Sequence, residues 1–248
     1  MIIIKTPEEI AIMREAGLIV AELLKLIEKK IEPGITGVQV DRFAERFIRS
    51  AGGIPAFKGY RGFPASICFS VNDGVVHGIP SARKLREGDI VGVDVGVEYG
   101  GYFADAAATF AVGSVAEEAA RLIEATKASL SAGIAQARAG KFLGDVSHAI
   151  QTAIEAAGFS VVKDFVGHGI GRAMHEDPQI PNFGLPKRGP KLEPGMVLAL
   201  EPMVNAGSPE VRIANDHWTV LTADGSLSAH FEHTVAVTKG APLVLTSL

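Results

Sequence analysis

The 248-residue chain contains a single cysteine, Cys68. That excludes an internal disulfide and a cysteine-rich structural zinc site, and a cytoplasmic location is the natural expectation. Positive charge is also scarce. Lysine and arginine number 24 against 28 acidic residues, a formal net charge of -4. A nucleic-acid surface announces itself as a basic excess, so DNA is not an expected partner. Long apolar runs are missing too. The opening MIIIKTPEEI is apolar but too short for a signal peptide, and no stretch reaches the about 20 residues of a membrane span. Neither a leader nor a membrane is therefore expected. What is present, 47% apolar and 21% charged, is the balance of a globular chain with a real core.

Thr6-Pro7-Glu8-Glu9 reads as a helix start. The threonine can cap, Pro7 loses nothing by lacking an N–H in the first turn, and Glu9 stands at the capping-box position. That helix is expected to reach Lys29 or Lys30 and to stop before Glu32-Pro33-Gly34. A second is expected over Gly37 to Ser50, with Val40, Phe43, Ala44 and Phe47 on one face. Aromatics are sparse at 6%, yet Phe57, Tyr60 and Phe63 share one short loop. Strands are expected at Ser66–Val71, Asp89–Glu98 and Tyr102–Val112, and helices at Val115–Ser131 and Leu143–Ala157. Strand and loop follow, at Val161–Val166, Val197–Val204, Trp218–Thr222 and His230–Thr238.

The order is helix, helix, strands, and then the same again. The letters repeat as well. Lys84-Leu85-Arg86-Glu87-Gly88 and Lys191-Leu192-Glu193-Pro194-Gly195 each precede a strand, and ten residues beyond each lysine stands a carboxylate, Asp94 or Glu201. Gly34 to Gly52 and Gly140 to Gly158 both span eighteen residues around a helix, and His77-Gly78-Ile79 is echoed by His168-Gly169-Ile170. The expectation is one domain over 1–248, built of two pseudo-repeat halves at about 1–112 and 113–248 and packed about a pseudo-twofold axis.

In IVGVDVGVEYGGYFADAAATF, two strands flank a glycine turn. If Glu98 pairs with Gly101, Asp94 faces Asp105, with Cβ atoms roughly 5 Å apart. Two ionised carboxylates placed so in an apolar strand pair must share a proton or hold a cation. Glu201 in VLALEPMV and Glu232 in AHFEHTVAV are two more carboxylates inside apolar strands. Each alone has a bland reading, as an edge-strand charge, a polar insertion before a proline turn or a partner for a histidine. Four together do not. The stretch GHGIGRAMHE adds His168, in a glycine-rich bend, and His175 seven residues on. One histidine with four carboxylates is a hard, oxygen-dominated ligand set. It suits two adjacent divalent ions, Mn, Fe, Co or Zn, and hydrolysis is the default chemistry.

With these motifs in view, the chain resembles the type I methionine aminopeptidases in their short bacterial form. SVNDGVVHGIP, the Asp94–Asp105 hairpin, GHGIGRAMHEDP, LALEPM and HWTVLTADGSLSAHFEHTVAVT carry the likeness. The resemblance implies an α+β, pita-bread fold: a curved antiparallel sheet backed by two helix pairs with a pseudo-twofold axis. It implies two divalent ions, with Asp94 on one, Asp105 and Glu232 bridging, and His168 and Glu201 completing the other. His77 and His175 would contact substrate near the scissile peptide, and Glu201 would shuttle a proton. Tyr60, Phe63, Cys68 and Trp218 would line the methionine pocket. The implied activity is removal of N-terminal methionine from peptides and nascent chains, favouring small second residues, by a cytoplasmic monomer in transient contact with the ribosome.

The chain departs from the family pattern in four places: Phe57 where relatives can carry cysteine, Phe63 for a frequent tyrosine, Met174 for a frequent phenylalanine, and His230 for a usual glutamine. The competing readings are an X-Pro aminopeptidase or prolidase with the same metals, and a metal-dependent phosphoesterase, against which the motifs lack flanking basic clusters. A non-catalytic binding protein on the same fold should have lost a ligand, and none is lost.

Overall fold

Thr6 and Thr36 open the first two helices in the same way. In α1 (Pro7–Glu28) and α2 (Gly37–Ser50), each threonine hydroxyl accepts from the N–H three residues on. Glu9 and Gln39 reciprocate with the threonine N–H at 2.9 Å. The chain then forms β1 (Ile54–Pro55), β2 (Ile67–Val71), β3 (Gly74–Val76), β4 (Ile90–Tyr99) and β5 (Tyr102–Ala111). Next come α3 (Glu117–Gln136) and α4 (Leu143–Ala156). The second half continues with β6 (Ser160–Val161), β7 (Gly167–Gly169), β8 (Glu176–Ile180), β9 (Val197–Leu200) and β10 (Met203–Asn205). It ends with β11 (Val211–Ile213), β12 (Val220–Thr222), β13 (Ser228–His230), β14 (Glu232–Ala236) and β15 (Leu243–Val244). This is a computed structural model, and it describes all 248 residues.

A nine-stranded sheet runs in the order β1-β4-β5-β14-β9-β7-β8, with β2 also on β4 and β15 on β14, and every pairing is antiparallel. Alternation along the strands decides which face is which. Val91, Val93, Val95 and Val97 pack with Val20, Leu23 and Ile48 of the first helix pair. Leu198, Leu200 and Val235 pack with Leu122, Leu130, Ile150 and Ile154 of the second. Helices therefore cover one face of the sheet, and Asp94, Asp105, Glu201 and Glu232 fall on the other.

Matching hydrogen bonds tie each helix pair to its lysine–leucine segment. Gly34 N–H and Leu85 N–H exchange bonds with the Leu85 and Ile35 carbonyls, both at 2.8 Å. Gly140 N–H donates to the Leu192 carbonyl at 2.9 Å, and Leu192 N–H to Lys141 at 2.7 Å. Isolated bridges Thr36–Lys84 and Phe142–Lys191 accompany them.

Several elements differ from expectation. The β4–β5 turn is Gly100-Gly101, with Tyr99 paired to Tyr102. Both glycines have positive φ, 58° and 78°, as a two-residue type I′ turn demands. Asp94 therefore opposes Ala107 and Asp105 opposes Gly96, a shift of two residues from the expected pairing. An even shift keeps both carboxylates on one face, now as diagonal rather than direct neighbours. The expected Val197–Val204 strand breaks at Glu201-Pro202, since Pro202 has no N–H for a ladder. Likewise His230–Thr238 is two strands parted at Phe231, and Val161–Val166 keeps only its first residue in β6. Helix α3 runs five residues past Ser131, to Gln136. Gly133 does not end it; a Cβ there would lie 2.7 Å from Ile150, so the glycine lets α3 and α4 approach.

Candidate metal centre and cleft

Five neighbouring strands each deliver one ligand candidate. In sheet order, β4 carries Asp94, β5 Asp105, β14 Glu232, the end of β9 Glu201, and β7 His168. His168 Nε2 stands 3.5 Å from Asp105 Oδ2 and 3.5 Å from Glu201 Oε1. Donor atoms of Asp105, His168 and Glu232 lie within 4.8 Å of one another. Asp94 Oδ1 is enclosed and has no hydrogen-bond partner.

Glycines bring the strands close enough for this. A Cβ on Gly167 would sit 2.4 Å from the Ala199 carbonyl oxygen, and one on Gly169 would run into the Asp177 carbonyl of β8. Only glycine fits on either side of His168. The imidazole itself is oriented by its own backbone: Nδ1 lies 2.9 Å from the Gly169 carbonyl, an acceptor only. Nδ1 therefore carries the proton and Nε2 turns its lone pair to the carboxylates. His175 joins from the bend 171–175. Its ring centroid is 4.3 Å from that of His168, and its Nδ1 is 2.8 Å from the Tyr60 hydroxyl.

All eleven residues singled out from the sequence line one cleft of about 160 Å³: Tyr60, Phe63, Cys68, His77, Asp94, Asp105, His168, His175, Glu201, Trp218 and Glu232. Phe57, Arg61 and Met174 complete its wall. Phe63 meets Trp218 edge-on, with ring centroids 5.1 Å apart. Cys68 pairs in register with Asp94, so its thiol faces the cleft while Ile67 and Phe69 pack under the helices. Burial and the Asp94 charge push that thiol well up, which keeps it protonated and a poor nucleophile.

Residues 11–239 match the pattern of Metallopeptidase family M24. The chain is 55% identical over 246 residues to the methionine aminopeptidase of Clostridium perfringens, covering 99% of each. It is 53% identical to methionine aminopeptidase 1 of Bacillus subtilis, again over 99% of each. Among solved structures, a methionine aminopeptidase from Thermotoga maritima superposes with a TM-score of 0.98 at 47% identity, over the whole of both chains. The chain belongs to metallopeptidase family M24. Its fold is the pita-bread fold of that family. A prolidase from Pyrococcus furiosus shares it, at a TM-score of 0.79 and 22% identity over 99% of this chain and 66% of that one.

The electrostatics of this M24 cleft ask for cations. Burial and mutual repulsion hold Asp94, Glu201 and Glu232 well above the usual carboxylate range, and burial raises Asp105 to about 6. Arg61, at the rim, is the only lysine or arginine in the lining. Two buried carboxylates, Asp105 and Glu232, two part-buried ones, Asp94 and Glu201, an enclosed oxygen without a partner and a lone-pair nitrogen fit divalent metal. Burial depresses the histidines instead: His168 is lowered, and His77 and His175 fall to about 4, so they are neutral at pH 7.

A titration with metal checks this. Ions must displace protons from carboxylates whose pKa values are raised, so apparent affinity weakens as pH falls through about 6. Binding at pH 6 should release protons, read by calorimetry in two buffers of different ionisation heat. Affinity that does not change between pH 5.5 and 7.5 would contradict the raised values.

Thr234, two residues beyond Glu232 on the same face of β14, was not singled out from the sequence. Its hydroxyl lies 2.9 Å from Asp105 Oδ1 and 2.8 Å from the Asp105 carbonyl oxygen, and it accepts from Asp105 N–H at 3.0 Å. It holds the central carboxylate in place. The period-2 alternation of β14 was the available signal. Arg61 carried no such signal; it reaches the rim through a left-handed backbone, φ 49°, in the Tyr60–Gly62 turn.

Proposed function

We propose that this chain removes N-terminal methionine from peptides and nascent proteins by hydrolysis at two divalent ions. One observation carries the reading: five adjacent strands converge five ligand candidates at the floor of a cleft walled by Phe57, Phe63, Cys68, Met174 and Trp218. Relatives more than 50% identical over nearly their whole length bear the name of that activity. Asp94, Asp105, His168, Glu201 and Glu232 would hold the metals. Mn, Fe, Co and Zn all accept such ligands. Metal bound there supplies Lewis acidity and lowers the pKa of water.

The chain's own groups do the rest. The apolar wall takes the methionine side chain, whose length and soft sulfur suit aromatic surroundings. The free amine lies towards Asp94, and the closed end of the cleft restricts cleavage to the first peptide bond. Neutral His77 and His175 donate to the scissile carbonyl oxygen as charge develops on it. The Glu201 side chain is 14% exposed, against 2% for Asp105 and 10% for His168, so it is more open to water than either. Its carboxylate takes the proton of the attacking water and delivers it to the leaving amine nitrogen.

The catalytic unit is the whole of 1–248, in halves of about 1–112 and 113–248, which the matching Gly34–Leu85 and Gly140–Leu192 bonds support. The reading carries with it a cytoplasmic monomer that meets nascent chains in transient ribosome contact. No helix is long and apolar enough to cross a membrane. The test is metal-stripped protein given Mn, Fe, Co or Zn in turn, assayed on Met-Ala-Ser and on an X-Pro peptide. Release of methionine from Met-Ala-Ser alone is expected. Faster cleavage of the X-Pro peptide, or no release with any ion, would overturn the reading.

A further inference from the structure

His175 sits in a bend, residues 171–175, that belongs to no helix or strand. Something else must hold it against His168 and Tyr60. Phe103 N–H donates to the Gly171 carbonyl at 2.8 Å and Met174 is buried, and the tie nearest His175 comes from the opposite end of the chain. Lys5 is 5% exposed, and its Nζ stands 2.6 Å from Glu176 Oε2, the residue after His175. Both side chains are almost fully enclosed, at 3% and 6%. The ammonium also donates to the Ile3 carbonyl at 3.1 Å, and the other Glu176 oxygen accepts from Ala173 N–H at 3.2 Å. Lys5 is itself anchored, its N–H donating to the Gly195 carbonyl at 2.8 Å.

Gly171 lets the bend close around this pair. A Cβ there would lie 2.5 Å from Lys5 Cε and 2.7 Å from Glu176 Oε1. Charges this deeply enclosed hold one geometry, because neither can trade its partner for water. The pair joins the amino-terminal arm to the bend on either side of His175, at Ala173 and Glu176.

We propose that Lys5 is a positioning residue for His175: through Glu176 it fixes the bend so that the imidazole meets the scissile peptide. The inference rests on the reading in which His175 contacts substrate. Lys5 touches neither metal ligands nor substrate, so its loss leaves the metals in place and misaligns one donor. Small misplacements of reacting groups cost up to about 100-fold in rate.

The experiment crosses two variants with His175→Ala, all metal-loaded and assayed on Met-Ala-Ser. Lys5→Met removes the ammonium. Gly171→Ala keeps both charges and wedges them apart, moving only side-chain ends, so it serves where Lys5→Met does not fold. Melting curves and metal content are measured for each. In the parent background kcat is expected to fall about 10- to 100-fold for Lys5→Met and several-fold for Gly171→Ala, with metal content unchanged. In the His175→Ala background either variant should change kcat less than about twofold. The same fold-loss with or without His175, or unchanged kcat in folded, metal-loaded variants, overturns the inference. An inactive parent overturns the reading of the cleft, and this proposal with it.

Discussion

Asp105→Asn is expected to abolish turnover on Met-Ala-Ser and, in the metal-free protein, to raise the melting temperature. Both results follow from one geometry. Asp105 is 2% exposed and faces His168 at 3.5 Å, and after burial its charge is the next cause that raises the pKa of Asp94, Glu201 and Glu232. Without cations its charge is a liability, and on the proposed reading it would become a metal ligand once they bind. Asparagine keeps the Thr234 hydrogen bond through Oδ1 and places an amide N–H towards the His168 lone pair, so the metal-free variant loses little packing. It sheds a buried charge that nothing neutralises.

The pH dependence fixes the sign. The folded-state pKa of Asp105, about 6, lies above its ordinary 3.8. Its contribution to stability is therefore complete below about 4 and lost as pH rises through 6. The gain of the metal-free variant over the metal-free parent should be near zero at pH 4 and open fully by pH 7.5. Activity moves the other way. Lewis-acid stabilisation is worth several kcal/mol and each ~1.4 kcal/mol is tenfold, so losing a metal ligand at this position should cost about 10³-fold or more in kcat/KM. Metal content and kcat/KM after reconstitution check the first half, and melting across pH the second. Ordinary turnover in reconstituted Asp105→Asn would leave no role for a bridged pair.

That the sequence pointed to residues that line one cleft, and did not give their neighbours, has a physical basis. Alternation in β4 was legible because valines at 91, 93, 95 and 97 leave Asp94 on the other side, whatever strand lies next to it. The face survived even though the hairpin pairing was misplaced by two residues, since an even slip does not turn a strand over. The helix starts were legible because capping boxes are local. The kinship of the Lys84–Gly88 and Lys191–Gly195 segments was legible too, because lysine, leucine and glycine stand in the same places in each.

Sheet order was not legible. That β14 separates β5 from β9, and so puts Glu232 between Asp105 and Glu201, depends on β5 pairing with a strand more than a hundred residues further along the chain. The Lys5–Glu176 pair is of the same kind, two ordinary surface residue types 171 positions apart that burial makes into a lock. Thr234 lies between the two cases. Its face followed from alternation, but its partner followed from sheet order alone.

His77→Ala separates holding the metals from acting on the substrate. His77 leaves β3 with φ 58°, a left-handed backbone that a residue with a Cβ adopts only where the surroundings impose it. Gly78 is what allows the bend; a Cβ there would meet the Phe69 carbonyl of β2. The ring lies edge-on to Phe165, with centroids 5.7 Å apart. Burial and the nearby His175 bring its pKa down to about 4. It is therefore a neutral donor throughout the working range, aimed into the cleft and forming no ion pair with the carboxylates. Removing one such donor to a developing oxyanion costs about 10²–10³ in kcat. The variant should show that loss with full metal content. Because His77 carries no charge above about pH 5, the shape of the pH–rate profile between 6 and 8 should match the parent's. Loss of metal from His77→Ala would make the residue a ligand or a structural support for the ligands, and the division of labour between the floor of the cleft and its histidine wall would fail.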